Sequence, residues 1–213
     1  MNNIDKFRNK LIVFCGIDHC GKSTLAKSLY DKLSYNGIDV VLTKQPGDAP
    51  GELGSLTRSL CIDKKWNLNP LSNMFAFLLD RAEHTSKVIQ PALEAGKTVI
   101  CDRYWYSTIA YQFYGKQLLE KYNLNEEFAF WMNRVASMNI EPNVVFFIER
   151  EAKKVQAEKD NENDQFETAS REFKLRVDQA YNKMADADPL FRRIKVVEND
   201  IPATLELLLG STF

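Results

Sequence analysis

The sequence lacks long apolar runs and an excess of charge of one sign. No stretch approaches the ~18 consecutive apolar residues of a membrane span. Lys and Arg total 28 against 29 Asp and Glu, which gives a formal net charge of −1. The polar start MNNIDKFRNK has no signal-peptide pattern. We therefore expect no nucleic-acid partner and no membrane partner, and an anionic substrate would need local positive charge.

Histidine and cysteine are also scarce. The two histidines, His19 and His84, are too few and too far apart for a zinc site. The four cysteines show no Cys-x-x-Cys pairing, and Cys15 and Cys101 lie inside apolar runs. This predicts buried, reduced thiols and a cytoplasmic location. Cys20 is expected to be the exposed exception, because it lies inside a loop.

No internal repeat and no Pro- or Gly-rich linker divides the chain, so we expect one domain over residues 1–213. Continuous apolar runs predict strands covered on both faces at 11–15, 39–43, 98–101, 143–148 and 194–197. Helical patterns lie between them at 22–36, about 72–95, about 107–121, 126–138 and about 165–184. The alternation predicts an α/β fold with a five-stranded parallel sheet and helices on both faces.

The segment 151–167, EAKKVQAEKDNENDQFE, differs from the rest because it is charged and nearly free of large apolar side chains. A solvated helix face or surface loop explains this composition. A short mobile lid that becomes ordered over a ligand explains it equally well. Both interpretations stay open.

The strongest motif is GIDHCGKS at residues 16–23, directly after the apolar run at 11–15. A glycine, four residues and Gly-Lys-Ser between a strand and a helix is the pattern of a phosphate-binding loop, or P-loop. A glycine turn without a ligand is disfavoured, because the leucine spacing that follows indicates a helix. The motif predicts that the phosphates of a nucleotide are bound by Gly16, Ile17, Asp18, His19, Cys20, Gly21, Lys22, Ser23 and Thr24.

Each specified position of this loop has a chemical reason. Gly16 and Gly21 permit backbone angles at which successive N–H groups converge on phosphate oxygens. Lys22 brings a positive charge to the transferring phosphates, and the Ser23 hydroxyl is placed to bind Mg²⁺. The helix that begins near Lys22 directs the positive end of its dipole at the same anion.

A second acidic and basic pair follows the third predicted strand. Asp102 ends that strand and fits the role of a Mg²⁺ residue beside Ser23. Glu149 also ends a predicted strand and is the competing metal residue. Arg103 supplies a planar fork suited to a phosphate group.

Phe77 and Arg81 are four residues apart and share one face of a predicted helix. An aromatic ring beside a guanidinium group would stack on a base while binding its phosphate. Two ordinary interpretations compete with this one. Arg81 would form a surface ion pair with Asp80 or Glu83, and Phe77 would pack in the core.

The segments GIDHCGKST, TKQPGDAPGE, LLDRAEH, ALEAGKTVICDRY and S-x-x-A-Y-Q together resemble the thymidylate kinase family, from about residue 10 to residue 115. The DRY block is the most specific part, because other P-loop proteins do not carry it. The resemblance implies a three-layer P-loop kinase fold and Mg²⁺-dependent transfer of the γ-phosphoryl group of ATP to dTMP. It also implies a homodimer.

The resemblance assigns residues to both roles. It implies that dTMP is bound by Asp18, Arg58, Phe77, Arg81, Arg103, Thr108, Tyr111 and Gln112. The residues that would act in the reaction itself are Lys22, Arg103, Asp18 and Asp102. Phe77 would stack on thymine, while Arg81 and Arg103 would bind the phosphate. Thr108 and Gln112 would contact the edge of the base.

Three further assignments concern the sugar and phosphate. Tyr111 would lie beside the sugar and disfavour a ribose. Asp18 would orient the 3′-hydroxyl or a bound water. Arg58 lies near a phosphate-binding arginine of the family, with ambiguous spacing. Gln45 follows the second strand where related nucleoside kinases have a glutamate base, and an amide cannot act as a base, which favours a monophosphate acceptor.

The sequence departs from the family at the basic residue that would act, in addition to Lys22, on the transferring phosphoryl group. Between residues 151 and 167 there is no arginine, whereas the family uses an arginine from the loop or the lid at the transferring phosphoryl group. The candidates to replace it are His19, Arg150, Lys153, Lys154 and Lys159. Two alternatives to a dTMP kinase follow: a kinase for another acceptor such as dUMP or thymidine, and a non-catalytic nucleotide-binding module.

Overall fold

A computed structural model describes residues 4–149, 164–166, 169–198 and 200–213. In these residues five strands form one parallel sheet in the order β2-β3-β1-β4-β5. The strands are β1 (Leu11–Cys15), β2 (Val40–Lys44), β3 (Thr98–Asp102), β4 (Val144–Glu149) and β5 (Phe191–Lys195). The predicted α/β sheet is confirmed. Most of the predicted lid lies outside the described residues.

Helices connect the strands on both faces of the sheet. Those of the described residues are α1 (Lys22–Tyr35), α2 (Glu52–Ile62), α3 (Pro70–His84), α4 (Gln90–Glu94), α5 (Trp105–Thr108), α6 (Leu118–Lys121), α7 (Glu126–Ala136), α8 (Arg171–Ala187) and α9 (Ile201–Gly210). A π-helical segment, Thr85–Ile89, joins α3 to α4, and another, Ile109–Gly115, continues α5. No helix of the described ranges is both apolar and long enough to span a bilayer.

The core consists of two apolar layers, one on each face of the sheet. Alternate residues of β1 point to opposite faces, as the strand geometry requires, so Val13 and Phe14 belong to different layers. Helices α1 and α9 cover the layer that contains Phe14. Helices α3, α5 and α8 cover the layer that contains Val13. Because every residue of β1 is buried, the loop that follows it is fixed at the centre of the sheet.

Several predicted element boundaries were wrong. The sequence patterns missed α2 and α9 altogether. The last strand is β5 at Phe191–Lys195 rather than at 194–197. The predicted helix at 165–184 begins only at Arg171, because the Ser170 side chain accepts from the backbone N–H of Phe173 and starts the helix there. Residues 164–166 instead form a bridge to Asp63 and a turn.

Candidate active site

The P-loop, the DRY block and the Phe77–Arg81 face line one cavity of about 1110 Å³ beyond the carboxyl ends of the strands. The predicted residues that line it are Asp18, His19, Cys20, Gly21, Lys22, Ser23, Thr24, Arg58, Phe77, Arg81, Asp102, Arg103, Thr108, Tyr111 and Gln112. Its volume lies just above the usual range of about 300–1,000 Å³ for small-molecule sites. Gly16 and Ile17 lie beneath the lining, where their carbonyl groups accept from Arg103 and Lys22.

The P-loop has the conformation that its glycines predict. Gly16 has a φ of +143° and Gly21 a φ of +94°, both in the region that favours glycine. At Gly16 a Cβ atom would also lie 2.8 Å from the carbonyl oxygen of Ile148. The Lys22 side chain folds back over the loop, and its Nζ donates to the carbonyl oxygen of Ile17 at 3.2 Å.

The prediction that Cys20 is exposed was wrong. Its side chain is fully buried beneath the loop, in the same apolar layer as Leu25. Burial raises the pKa of the Cys20 thiol, so the thiol is neutral and protected. Cys15 and Cys101 are buried as predicted, and all four cysteines are free thiols.

Ser23 and Asp102 form the candidate Mg²⁺ site. The Ser23 hydroxyl donates to Oδ2 of Asp102, and Oδ1 of Asp102 is buried with no hydrogen-bond partner among the described residues. Hydroxyl and carboxylate oxygens are the ligands that Mg²⁺ prefers. Glu149, the competing metal residue, instead pairs with Arg193 and does not line the cavity. The oxygen atoms at Ser23 and Asp102 therefore fit the ion.

Asp18, Arg103 and Tyr111 form one polar cluster. Arg103 pairs with Oδ1 of Asp18, and the Tyr111 hydroxyl donates to Oδ2 at 2.7 Å. The Arg103 guanidinium lies 5.0 Å from the centroid of the Tyr111 ring. Burial on its own would raise the pKa of Asp18, but Arg103, Lys22 and the Tyr111 hydroxyl lower it to about 2. Asp18 is therefore an anion that orients Arg103.

Arg81 lines the cavity, is buried, and has neutral hydrogen-bond partners. Its guanidinium donates to Oε1 of Gln45 and to the Thr108 hydroxyl, and lies 5.4 Å from the centroid of the Tyr104 ring. No carboxylate forms an ion pair with Arg81 in the part of the chain that the structure describes, and Glu83 pairs instead with Lys87. Asp80, which the sequence offered as an ion-pair partner, instead accepts from Thr57 and Gly47. The Arg81 charge is thus left for an anionic ligand.

The cavity also contains an unpaired amide. Gln112 is fully buried, and neither its Oε1 nor its Nε2 has a hydrogen-bond partner among the described residues. Thr108 lies one helical turn before it and keeps its hydroxyl proton available while accepting from Arg81. Phe77 borders the same space and is only partly buried, which argues against a purely structural role in the core.

Arg58 lines the cavity from α2. Its guanidinium donates to the carbonyl oxygen of Pro46 at 2.7 Å. A Cβ at Gly47 would lie 2.7 Å from the Arg58 side chain, so the glycine makes room for this close contact. Arg58 is therefore positioned by the loop that follows β2.

Two features of the site escaped sequence reasoning. Phe166 lines the cavity and packs at 5.9 Å from the Phe77 ring and 5.4 Å from the Tyr111 ring. His84 lies behind Gln45, with its Nδ1 2.8 Å from the amide nitrogen. No local pattern signals either contact, because each joins segments far apart in the chain. The candidates Arg150, Lys153, Lys154 and Lys159 lie outside the described residues.

Comparisons with known proteins agree with this geometry. The sequence model described as thymidylate kinase matches residues 14–201. The thymidylate kinase of Desulfovibrio desulfuricans is 34% identical, over 90% of this chain and 88% of its own. A probable thymidylate kinase of Thermococcus kodakarensis is 35% identical, over 93% and 98%. The thymidylate kinase structure from Ehrlichia chaffeensis aligns at a TM-score of 0.74 and 28% identity, over 94% and 96%.

Proposed function

The chain belongs to the thymidylate kinase family, and from this premise we propose that its cavity transfers the γ-phosphoryl group of ATP to dTMP. The products are dTDP and ADP. One observation carries the proposal: a P-loop and a buried arginine with no ionic partner line the same cavity. Two anion sites in one cavity suit a donor and an acceptor that both carry phosphate.

The P-loop is the donor site. Its backbone N–H groups and the N-terminus of α1 bind the phosphates of ATP, and Lys22 neutralises the charge of the transferring group. Ser23 and Asp102 would hold Mg²⁺, and the ion would supply positive charge that offsets the negative charge of the phosphates. The oxygen donors on Ser23 and Asp102 support this assignment.

The wall opposite the P-loop is the acceptor site. Phe77 stacks on thymine, and the free amide of Gln112 pairs with the N3–H donor and O4 acceptor at the edge of the base. Arg81 and Arg103 bind the phosphate, with Arg58 beside them. Thr108 contributes its hydroxyl proton. The buried, unpaired polar atoms of Gln112 support this assignment, because a ligand would supply their missing partners.

The sugar lies between these groups. Asp18 and Tyr111 are linked by a hydrogen bond at the boundary between the two anion sites. Asp18 accepts from the 3′-hydroxyl, and Tyr111 fills the space that a 2′-hydroxyl would need. Because a monophosphate is already ionised near neutral pH, the reaction requires alignment and charge neutralisation rather than a base.

A coupled assay tests the reaction with dTMP, dUMP, dGMP and thymidine as acceptors. We expect dTMP to give the highest kcat/KM and thymidine to give no turnover, since thymidine lacks the phosphate that Arg81 and Arg103 bind. Binding of ATP and dTMP without dTDP formation would contradict catalysis and favour a nucleotide-binding module. Faster turnover of dUMP would contradict the assigned acceptor.

The identity of the side chain that supplies a positive charge at the transferring phosphoryl group, in addition to Lys22, stays a prediction. His19 lines the cavity within the P-loop, at a φ of +59°. Lys153, Lys154 and Lys159 are the lid candidates, together with Arg150. Single substitutions at these four positions, with kcat as the readout, identify the residue, and unchanged rates at all of them would leave His19.

We also propose a homodimer in the cytoplasm. Two neighbouring helices, α3 and α7, carry exposed apolar residues: Phe75, Leu79, Phe128, Trp131 and Val135. A stripe of this kind is typical of an interface. Four free and buried thiols support a reducing compartment. Cell fractionation tests the location.

A further inference from the structure

A chain of buried hydrogen bonds runs from Arg81 away from the cavity. Arg81 donates to Oε1 of Gln45, and Nε2 of Gln45 lies 2.8 Å from Nδ1 of His84. Nε2 of His84 lies 2.6 Å from the Thr43 hydroxyl. All four side chains are buried, and neither His84 nor Thr43 lines the cavity. These hydrogen bonds therefore join a residue that lines the cavity to buried residues outside its lining.

The donors and acceptors of this chain fit together in only one direction. A guanidinium group only donates, so the carbonyl oxygen of Gln45 must face Arg81. The amide N–H of Gln45 then faces His84, whose Nδ1 accepts. The proton of the neutral imidazole is therefore on Nε2, which donates to Thr43. The Thr43 hydroxyl in turn lies 3.3 Å from Oδ2 of Asp48, to which it donates.

The surroundings of His84 keep its ring neutral. Burial, together with the nearby positive charge of Arg81, lowers the pKa of His84 to about 4, although Asp48 acts in the opposite direction. A neutral ring is required here, since a protonated Nδ1 would meet the donor N–H of Gln45.

We propose that His84 and Gln45 are positioning residues for Arg81 in the binding of the acceptor nucleotide, and this rests on the proposed function. The chain holds the Gln45 carbonyl toward Arg81, which fixes the guanidinium plane. Because Gln45 is neutral, it anchors Arg81 without offsetting its charge. A reversed amide would place two N–H groups against each other and would turn Arg81 away from the acceptor nucleotide.

The first test does not depend on activity. The sequence contains only His19 and His84, so the ¹⁵N NMR spectrum of the histidine side chains contains signals from two rings. The signals that remain in His19→Asn belong to His84. We expect His84 to be the neutral Nε2–H tautomer at pH 7. An Nδ1–H tautomer or a charged ring would overturn the proposal, whatever the protein phosphorylates.

The second test distinguishes a positioning role toward the acceptor from a general effect on the folded structure. Thr43→Val keeps the shape and strand preference of the side chain but removes the acceptor for His84. We expect the KM for dTMP to rise about fivefold to tenfold, with the KM for ATP unchanged. Thr43→Ser keeps the hydroxyl and should restore the wild-type KM.

The outcomes of this test are distinct. An unchanged KM for dTMP in Thr43→Val, or equal rises in both KM values, would overturn the proposal. If Thr43→Val does not fold, Gln45→Met removes the link beside the cavity and must raise the KM for dTMP selectively. If the wild-type protein does not phosphorylate dTMP, the proposed function fails, while the NMR result still reports on the hydrogen-bond chain.

Discussion

At the residue scale, the site is marked by polar groups whose partners are missing. Buried polar atoms in proteins are nearly always hydrogen-bonded, and exceptions need an explanation. Here the exceptions among the described residues include the amide of Gln112 and Oδ1 of Asp102, and Arg81 lacks an ionic partner. All three line one cavity. Under the proposed function each would gain a different partner: the base for Gln112, Mg²⁺ for Asp102 and an anionic ligand for Arg81.

The unpaired amide of Gln112 leads to an unusual prediction. Gln112→Met replaces the amide with an apolar group of similar size, so we expect the KM for dTMP to rise about tenfold or more. We expect the unfolding free energy of the unliganded protein to stay the same or increase by about 1 kcal/mol, because an unsatisfied buried group is removed. Steady-state kinetics and urea denaturation measure the two effects.

The matched control is Gln179→Met, since Gln179 is exposed on α8. It should change neither the KM nor the unfolding free energy. A loss of more than about 1 kcal/mol in the Gln112 variant would mean that the amide has a structural partner and would contradict this interpretation.

The buried His84 predicts a specific dependence of stability on pH. Its pKa is about 4 in the folded protein and about 6.5 unfolded, so the unfolded state binds more protons in between. The stability from neutral His84 is present above pH 6.5 and is lost as the pH falls toward 4. Relative to His84→Asn, the wild-type protein should lose about 2 kcal/mol of unfolding free energy between pH 7 and pH 5.

His19→Asn is the control for the pH experiment, because it leaves His84 unchanged. Between pH 7 and pH 5 the wild-type protein is compared with His84→Asn, and His19→Asn is compared with the double variant that carries both substitutions. The loss of unfolding free energy should be the same in the two comparisons. Parallel pH curves for wild type and His84→Asn would show that His84 does not titrate with a lowered pKa.

The residues that could be predicted from the sequence are those in local patterns. Gly16, Lys22 and Ser23 occur at fixed spacing, and Asp102 and Arg103 end an apolar strand. The contact of Gln45 with His84 spans 39 residues and depends on how β2 packs against α3. Phe77 and Arg81 gained their roles only through family resemblance, because a helical face alone left surface and core interpretations open.

At the scale of elements, the loop between β2 and α2 is held from two sides. Asp80 of α3 accepts from the backbone N–H of Gly47 and from the Thr57 hydroxyl. Arg58 of α2 donates to the carbonyl oxygen of Pro46. Gly54 brings the first turn of α2 against the loop, where a Cβ would lie 1.9 Å from the carbonyl oxygen of Ala49. The loop therefore connects the packing of α2 and α3 to the position of Arg58 in the acceptor site.

Gly54→Ala tests this contact. The added methyl group collides with backbone, which has no rotamer to relieve it, so α2 and the loop must separate. We expect a loss of about 2 kcal/mol or more in unfolding free energy and a higher KM for dTMP. Calorimetry and kinetics provide the measurements.

Gly210→Ala is the matched control, because a Cβ there meets nothing within 4 Å and the residue ends helix α9. It should be neutral or slightly stabilising. If both alanine variants behave alike, the close packing of α2 on the loop is not a constraint.

The elements that could be predicted are those with continuous apolar sequence. β1, β3 and β4 are central strands covered on both faces, so their composition is unambiguous. β5 is an edge strand that contains Arg192 and Arg193, and these charged residues hid its first half, so the sequence placed the strand at 194–197. α2 escaped because its pattern is broken by Gly54 and short polar residues, although these allow its close approach to the loop.

At the scale of the whole molecule, the two apolar layers place the site at one end of the sheet and leave one lateral face apolar. On α7, Phe128, Trp131 and Val135 follow the spacing of one helical face, and the Phe128 and Trp131 rings stack at 6.1 Å. Phe75 and Leu79 repeat at four residues on α3, which packs beside α7. Because these side chains are exposed in the single chain, the aromatic face of α7 fits an interface better than a core. That residues 1–213 form one domain stays a prediction.

Trp131→Lys tests the homodimer. Trp131 is 59% exposed in the single chain, so its replacement should cost little folding stability, whereas a charge at the centre of an apolar interface should weaken association about 100-fold or more. Light scattering of the wild type should give about twice the 24.5 kDa chain mass, and the mass of the variant should shift toward that of one chain on dilution.

Leu175→Lys is the control, because Leu175 is similarly exposed but lies on α8. If both lysine variants remain dimeric, the interface is elsewhere; if the wild type is a monomer, the α3–α7 face does not associate.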